Sequence, residues 1–211
     1  MCHFAFILAW TTITTHQAVS GFYFYQDCWA ARQVFHEQPP FIVDVGSTVL
    51  LVGILSQFVD CISVDIRPIE SRLDGLRTVA GSVLALPFRD GEVPCLTSMY
   101  VLEHIGLGRY GDPLSATGTE DAAKEIARIV RAGGAVVFSL PVGTRSVTEF
   151  NANRRFTYDE ARSLFPDWLL VDECLLIPHP VSYSLDTLQR ALDLVLCLCL
   201  RKPGLIRHGG D

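Results

Sequence analysis

Apolar positions along the chain fall into short runs separated by polar stretches of helix length. Seven runs predict strands: FIVDV (41–45), CISVD (61–65), LRTVAG (76–81), CLTSMYV (95–101), AVVFSLP (135–141), WLLVDECLLI (168–177) and LVLCLCLRK (194–202). Three stretches between them predict helices: Val49 to Phe58, TEDAAKEIARIVRAGG (119–134) and TYDEARSLF (157–165). In the second, Ala122, Ile126, Ile129 and Val130 recur at helical spacing beside Lys124 and Arg128, and Gly133 with Gly134 predicts a left-handed stop. Short apolar strands alternating with helices predict an α/β fold, a mostly parallel sheet covered on both faces. No internal repeat, low-complexity tract or Pro/Gly-rich linker divides the chain.

Composition narrows this picture. At 211 residues the chain suits one domain, burying roughly 70% of its unfolded surface. Its formal net charge is -6, and lysine and arginine are scattered, so it lacks the basic face that a nucleic-acid partner demands. The seven cysteines form no C-x-x-C pair. Most of them (Cys61, Cys95, Cys174, Cys197, Cys199) lie in apolar runs and read as reduced core residues of a cytoplasmic protein. FAFILAW (4–10), followed by TTITTHQAVSG, has a signal-peptide look without the positively charged start. LVLCLCL (194–200) is too short to span a bilayer. As a strand it puts Leu194, Leu196, Leu198 and Leu200 on one face and Cys197 and Cys199 on the other. A membrane-surface helix over 185–200 is the competing reading, opposed by a weak polar face and Asp193.

A ligand site in such a sheet lies at the carboxyl ends of the strands. A dinucleotide fold places G-x-G-x-x-G there, because a pyrophosphate sits on backbone N–H groups at a helix N-terminus. After the first strand this chain offers Asp44, Gly46 and Ser47 instead, with a single glycine. That turn suits a ligand without phosphate, such as S-adenosylmethionine. Asp65 ends the second strand about 20 residues further on, where a carboxylate can accept from both ribose hydroxyls. The competing role for Asp65 is to cap the turn before Pro68.

The succession VDVGS, SVDIRP, GSVLALPF, YVLEHIG and RIVRAGGAVVFSLP resembles class I S-adenosylmethionine-dependent methyltransferases in order and spacing. It looks closest to a methyltransferase-like family of unassigned function linked with surface glycan gene clusters, which also has segments like YFYQDCWAARQVF, LEHIGLGRYGDPL and FNANRRF. The resemblance implies a single-domain Rossmann-like doubly wound sheet of seven strands, the last antiparallel. It spans residues 23–202, with 1–22 as an N-terminal extension and 203–211 as a tail. It implies S-adenosylmethionine as cofactor, with Asp44, Gly46 and Ser47 near the methionine portion and Asp65 on the ribose. Ile66 would lie against the adenine, Ser82 and Val83 at its edge, and Tyr100, Leu102 and Glu103 where sulfonium and acceptor meet. Two positions depart from the pattern: Ser82, where many relatives have aspartate, and Asn153, where the glycan-linked relatives tend to read NAHR.

Methyl transfer is an in-line displacement in which positioning dominates. A hydroxyl acceptor also profits from a base, and His104 is the candidate, with Glu103 beside it; the alternative is that both only order the loop. Arg109, Tyr110 and Asp112 in one loop, and Asn151, Asn153 and Arg154 in another, offer the donors and rings that suit a polar, small or glycan-like acceptor. His3, His16, His36, His179 and His208 have no ligand spacing, so no metal site is expected. The leading reading is a methyltransferase acting on a hydroxyl or similar group. A non-catalytic binding or scaffolding relative is the second reading. A dinucleotide-dependent oxidoreductase is the third, opposed by the single-glycine turn.

Overall fold

The computed structural model describes residues 22–176 and 194–204. Readings that fall on 1–21, 177–193 and 205–211 lie outside the described residues, among them the leader-like segment, the polar crossover, and His3, His16, His179 and His208. The helix α1 (Phe22–Glu37) leads into β1 (Phe41–Val45), α2 (Val49–Leu55), β2 (Asp60–Asp65), β3 (Leu76–Ala80) and β4 (Val93–Met99). A short 3-10 turn at Leu102–His104 precedes α3 (Gly118–Ile129), β5 (Val130–Val142), β6 (Val147–Glu149), β7 (Asn153–Arg155), α4 (Tyr158–Ser163), β8 (Leu169–Leu176) and β9 (Leu194–Arg201).

Seven strands form one sheet in the order β3-β2-β1-β4-β5-β9-β8. β1 to β5 pair in parallel, and β9 runs antiparallel to both β5 and β8. This is the Rossmann-like sheet with an antiparallel last strand. Alternation divides the core into two layers. On one face α3 and the chain around α4 bring Ala122, Ile126, Ile129 and Phe165 against Val43, Leu96, Phe138 and Leu198. On the other, α1 and α2 bring Trp29, Val34, Leu51 and Leu55 against Ile42, Cys95, Val137, Cys197 and Cys199. Each fully buried aliphatic side chain contributes about 1.5–3 kcal/mol, and continuous apolar strands buried on both faces collect that gain twice. The described cysteines are all free thiols, and Cys61, Cys95, Cys197 and Cys199 are buried.

Three local readings change. The stretch 119–134 is not one helix: α3 ends at Ile129, and Val130 turns extended to pair with Val93. Gly133, at φ 73°, therefore caps no helix. Its N–H donates to Lys202 O, Lys202 N donates to Gly134 O, and a Cβ on Gly134 would stand 2.8 Å from Pro94 O, so the glycine pair lets neighbouring backbones approach. The fourth strand covers 93–99, not 95–101, because Tyr100 leaves it at φ 61°. Residues 147–155, read as loop, form the two-stranded hairpin β6/β7. Residues 194–200 lie in a buried strand and not in a surface helix, and no helix among the described residues is long and apolar enough to cross a membrane.

Candidate active site

A cleft with two connected lobes opens at the carboxyl ends of β1, β2 and β4. Gly46, Tyr100, His104 and Tyr110 line both lobes. The first lobe adds Asp65, Ile66, Arg67, Ser82, Val83 and Val101. The second adds Tyr23, Ser47, Met99, Arg109 and Asn153.

The turn after β1 explains why one glycine suffices. Gly46 sits at φ 69°, and a Cβ there would meet Val101 Cγ1 at 3.2 Å and approach Asp65 Oδ2 to 3.7 Å. Only glycine holds this turn without strain and leaves the cleft floor open. Its N–H donates to Val64 O, that of Ser47 to Asp44 Oδ1, and those of Leu51 and Val52 to Thr48 Oγ1 and Thr48 O. Part of the donor set a pyrophosphate would need is therefore spent inside the chain. Asp44 is fully buried and does not face the cleft: Oδ1 braces Ser47 N, and Oδ2 accepts from Thr97 Oγ1 at 2.6 Å. Burial pushes its carboxyl up to about 6, against those two hydrogen bonds.

Asp65 presents a half-used carboxylate. Oδ1 accepts from Arg67 N at 2.7 Å, and Oδ2 lies on the Gly46 side of the cleft. Ile66, Val83 and Leu84 add apolar wall, and Ser82 Oγ accepts from Leu84 N, which shapes the corner while its own proton remains available to donate.

The second lobe is built by the 3-10 turn and by the hairpin. His104 Nδ1 donates to Ala152 O at 2.6 Å, and Arg109 Nη1 donates to the same oxygen at 3.0 Å. Glu103 is fully buried; among the described residues neither carboxyl oxygen has a hydrogen-bond partner. His104 Nε2 stands 3.6 Å from its Oε1, beyond direct hydrogen-bond length. Burial pushes the Glu103 carboxyl up to about 8 and holds the His104 imidazole below its ordinary value. Near neutral pH Glu103 thus keeps its proton and His104 is uncharged.

The sheet gathers Gly46, Ser47, Asp65, Ile66, Ser82, Val83, Tyr100, His104, Arg109, Tyr110 and Asn153 around one cleft. Five other candidates stand apart from its walls, and Leu102 is one of them, fully buried in the core. Asp44 and Glu103 lie beneath it, and Asn151 occupies the hairpin turn at φ 56°. Arg154 is buried, with its guanidinium donating to Ile105 O, to Ser115 O at 2.6 Å and to Thr119 Oγ1 at 3.3 Å. It ties the hairpin to the loop behind the cleft. Sequence reasoning missed Arg67 and Tyr23. Tyr23 arrives from α1, its ring 5.9 Å from that of Tyr100, and the aromatic run FYFY was its only signal. Among the described residues no group of three or more His, Cys, Asp or Glu side chains could hold a metal ion.

Residues 91–164 match a family model described as Caenorhabditis protein of unknown function, DUF268. That stretch contains the loop 103–112 and the hairpin, and its description assigns no activity and no glycan link. No curated protein sequence matches the chain. Among solved structures, the chain is similar to the Burkholderia thailandensis 1,6-didemethyltoxoflavin-N1-methyltransferase with bound 1,6-didemethyltoxoflavin and S-adenosylhomocysteine. The TM-score is 0.63 at 16% identity, over 84% of this chain and 78% of that one. It is similar to a geranyl diphosphate methyltransferase in complex with SAM, at TM-score 0.60 and 16% identity, over 83% and 85% of the two chains. It is also similar to the 4+2 cyclase SpnF, at TM-score 0.61 and 13% identity, over 84% and 81%. At these identities the likeness is one of architecture: the chain has the fold of these proteins.

Proposed function

We propose that the protein is an S-adenosylmethionine-dependent methyltransferase acting on a hydroxyl or similar group of a small or glycan-like acceptor. The observation that carries this reading is the pairing of Gly46 with Asp65. A left-handed glycine keeps the floor open directly beside a carboxylate oxygen, at the end of an apolar wall. Those residues fit a nucleoside without a pyrophosphate: Asp65 Oδ2 would accept from the ribose, and Ile66 and Val83 would flank the base. The N–H groups of Gly46, Ser47, Leu51 and Val52, already bonded inside the chain, weigh against a dinucleotide.

When bound, S-adenosylmethionine supplies a methyl group on a positively charged sulfur. The chain's own contribution is largely placement. Ser47 and Tyr100 line the second lobe, and the Nδ1–H bond to Ala152 leaves His104 Nε2 free to take a hydroxyl proton. Tyr23, whose phenol is raised by burial and by the nearby Glu103, keeps its proton and can donate to an acceptor oxygen.

Calorimetric titration with S-adenosylmethionine, S-adenosylhomocysteine and NAD tests the reading. Micromolar binding of the first two, lost in Asp65→Ala, is the expected result. Binding of NAD in their place overturns it, and absence of binding to all three favours a scaffold that keeps the fold alone.

A further inference from the structure

Two cations flank one aromatic ring at the mouth of the cleft. Arg67 Cζ lies 5.0 Å from the Tyr110 ring centroid, and Arg109 Cζ lies 5.4 Å from it. Arg67 comes from the loop after β2 and Arg109 from the loop after the 3-10 turn, so Tyr110 gathers positive charge from two separate segments. Among the described residues neither guanidinium has a carboxylate within ion-pair distance. Arg109 spends one donor on Ala152 O. Among the described residues the Arg67 side chain makes the ring contact and no hydrogen bond or ion pair.

Two acidic groups, Asp65 and Asp112, also line the cleft, each holding backbone N–H groups. Asp112 accepts from Gly106 N with one oxygen and from Tyr110 N with the other, at 3.4 Å, and Asp65 Oδ1 accepts from Arg67 N. Glu103 is buried and uncharged near neutrality. What reaches the mouth is therefore a pair of forked donors, stacked on a ring that limits their motion and so lowers the cost of fixing them on a planar oxyanion. Arg109 also acts electrostatically on His104 and Glu103, which places its charge close to the nitrogen that would take the acceptor's proton.

Resting on the methyltransferase reading, we propose that the acceptor carries an oxyanion, a carboxylate or a phosphate, received by Arg109 and Arg67 beside Tyr110 while its hydroxyl is presented to His104. The anion anchors the acceptor beside Tyr110, where the two lobes meet, and the distance from the anchor to His104 selects which hydroxyl reacts.

The test is calorimetric titration of the full chain saturated with S-adenosylhomocysteine, using two matched pairs of probes: glucuronate against glucose, and 4-hydroxybenzoate against 4-hydroxybenzamide. In at least one pair the anion is expected to bind about tenfold tighter or more, the worth of one charge-assisted hydrogen bond. That preference should vanish in Arg109→Gln, shrink in Arg67→Gln, and survive in part in Arg109→Lys. No preference in either pair overturns the proposal, as does a preference that persists in both glutamine variants. The product analogue separates the two readings. If S-adenosylhomocysteine binds but no anion preference exists, this inference fails alone; if S-adenosylhomocysteine itself does not bind, the methyltransferase reading fails and takes this one with it.

Discussion

His104 donates its Nδ1 proton to the carbonyl oxygen of Ala152 across 2.6 Å. A carbonyl only accepts, so this contact decides the tautomer and leaves Nε2 of the neutral ring without a proton. The hairpin turn between β6 and β7, far along the chain from the 3-10 turn, thereby sets which nitrogen can act as a base.

For a hydroxyl acceptor, His104→Ala is expected to lower kcat/KM by about 100-fold or more, within the usual range for losing a general base. S-adenosylhomocysteine affinity should change less than turnover, because the ring borders both lobes but the proposed ribose contact is made by Asp65. Burial lowers the His104 pKa, so the basic form persists to lower pH. The acid limb of the kcat/KM profile should then fall below about 6.5, the ordinary imidazole value. A limb above it would assign the proton transfer to another group.

Glu103 should make the fold pH-sensitive in the opposite sense to a salt-bridged carboxylate. Its carboxyl is raised from 4.5 to about 8 by burial. Below the unfolded value both states hold the proton and nothing is lost. As pH rises from there to about 8, the unfolded chain releases the proton and the native state does not, costing about 1.4 kcal/mol per pH unit. Glu103→Gln removes the titration and keeps the shape, so its stability advantage over the parent should grow between pH 5 and pH 8 in urea unfolding. An advantage that stays flat would mean that Glu103 has an ionic partner in the folded protein.

The parts of this fold that were legible in the sequence are those decided locally. FIVDV and LVLCLCLR read as strands because burial on both faces requires apolar residues at every position. Gly46 and Asp65 could be placed side by side at one cleft because strand length fixes their separation. What was not legible depends on distant partners. Gly133 and Gly134 carry the same local signal as a helix stop, and Lys202 and Pro94 decide their actual use. The helix α1 hides its buried face behind Gln26 and Gln33, while Phe24 and Phe35 stand exposed, so no apolar stripe announces it. Arg154 looked like a binding residue because nothing local reveals the carbonyls of residues 105 and 115 that consume it.

Gly46→Ala tests the cleft floor directly. A methyl group there is strained by the positive φ and crowded by Val101, which should cost about 1–2 kcal/mol of stability. S-adenosylhomocysteine binding should weaken by about tenfold or more, a difference of roughly 1.4 kcal/mol, measured by titration below the variant's melting temperature. Full affinity in Gly46→Ala would place the ligand away from this turn.

Arg154 should be a structural latch whose loss is felt in the second lobe. Its buried guanidinium reaches two carbonyls and a hydroxyl from β7, pinning the loop 105–115 against the hairpin that orients His104. Lysine keeps the charge but cannot make the fork, leaving at least one buried carbonyl unpaired. Arg154→Lys is therefore expected to destabilise the fold by about 2 kcal/mol and to speed amide exchange within 105–115. Arg154 bonds Ile105 O, one wall of the first lobe, but not Gly46, Asp65 or Val83, so S-adenosylhomocysteine binding should weaken less than turnover falls. Equal exchange in both proteins would show that the loop is held by Asp112 and its own glycines. A loss of S-adenosylhomocysteine binding in parallel with stability would show instead that the two lobes unfold as one unit.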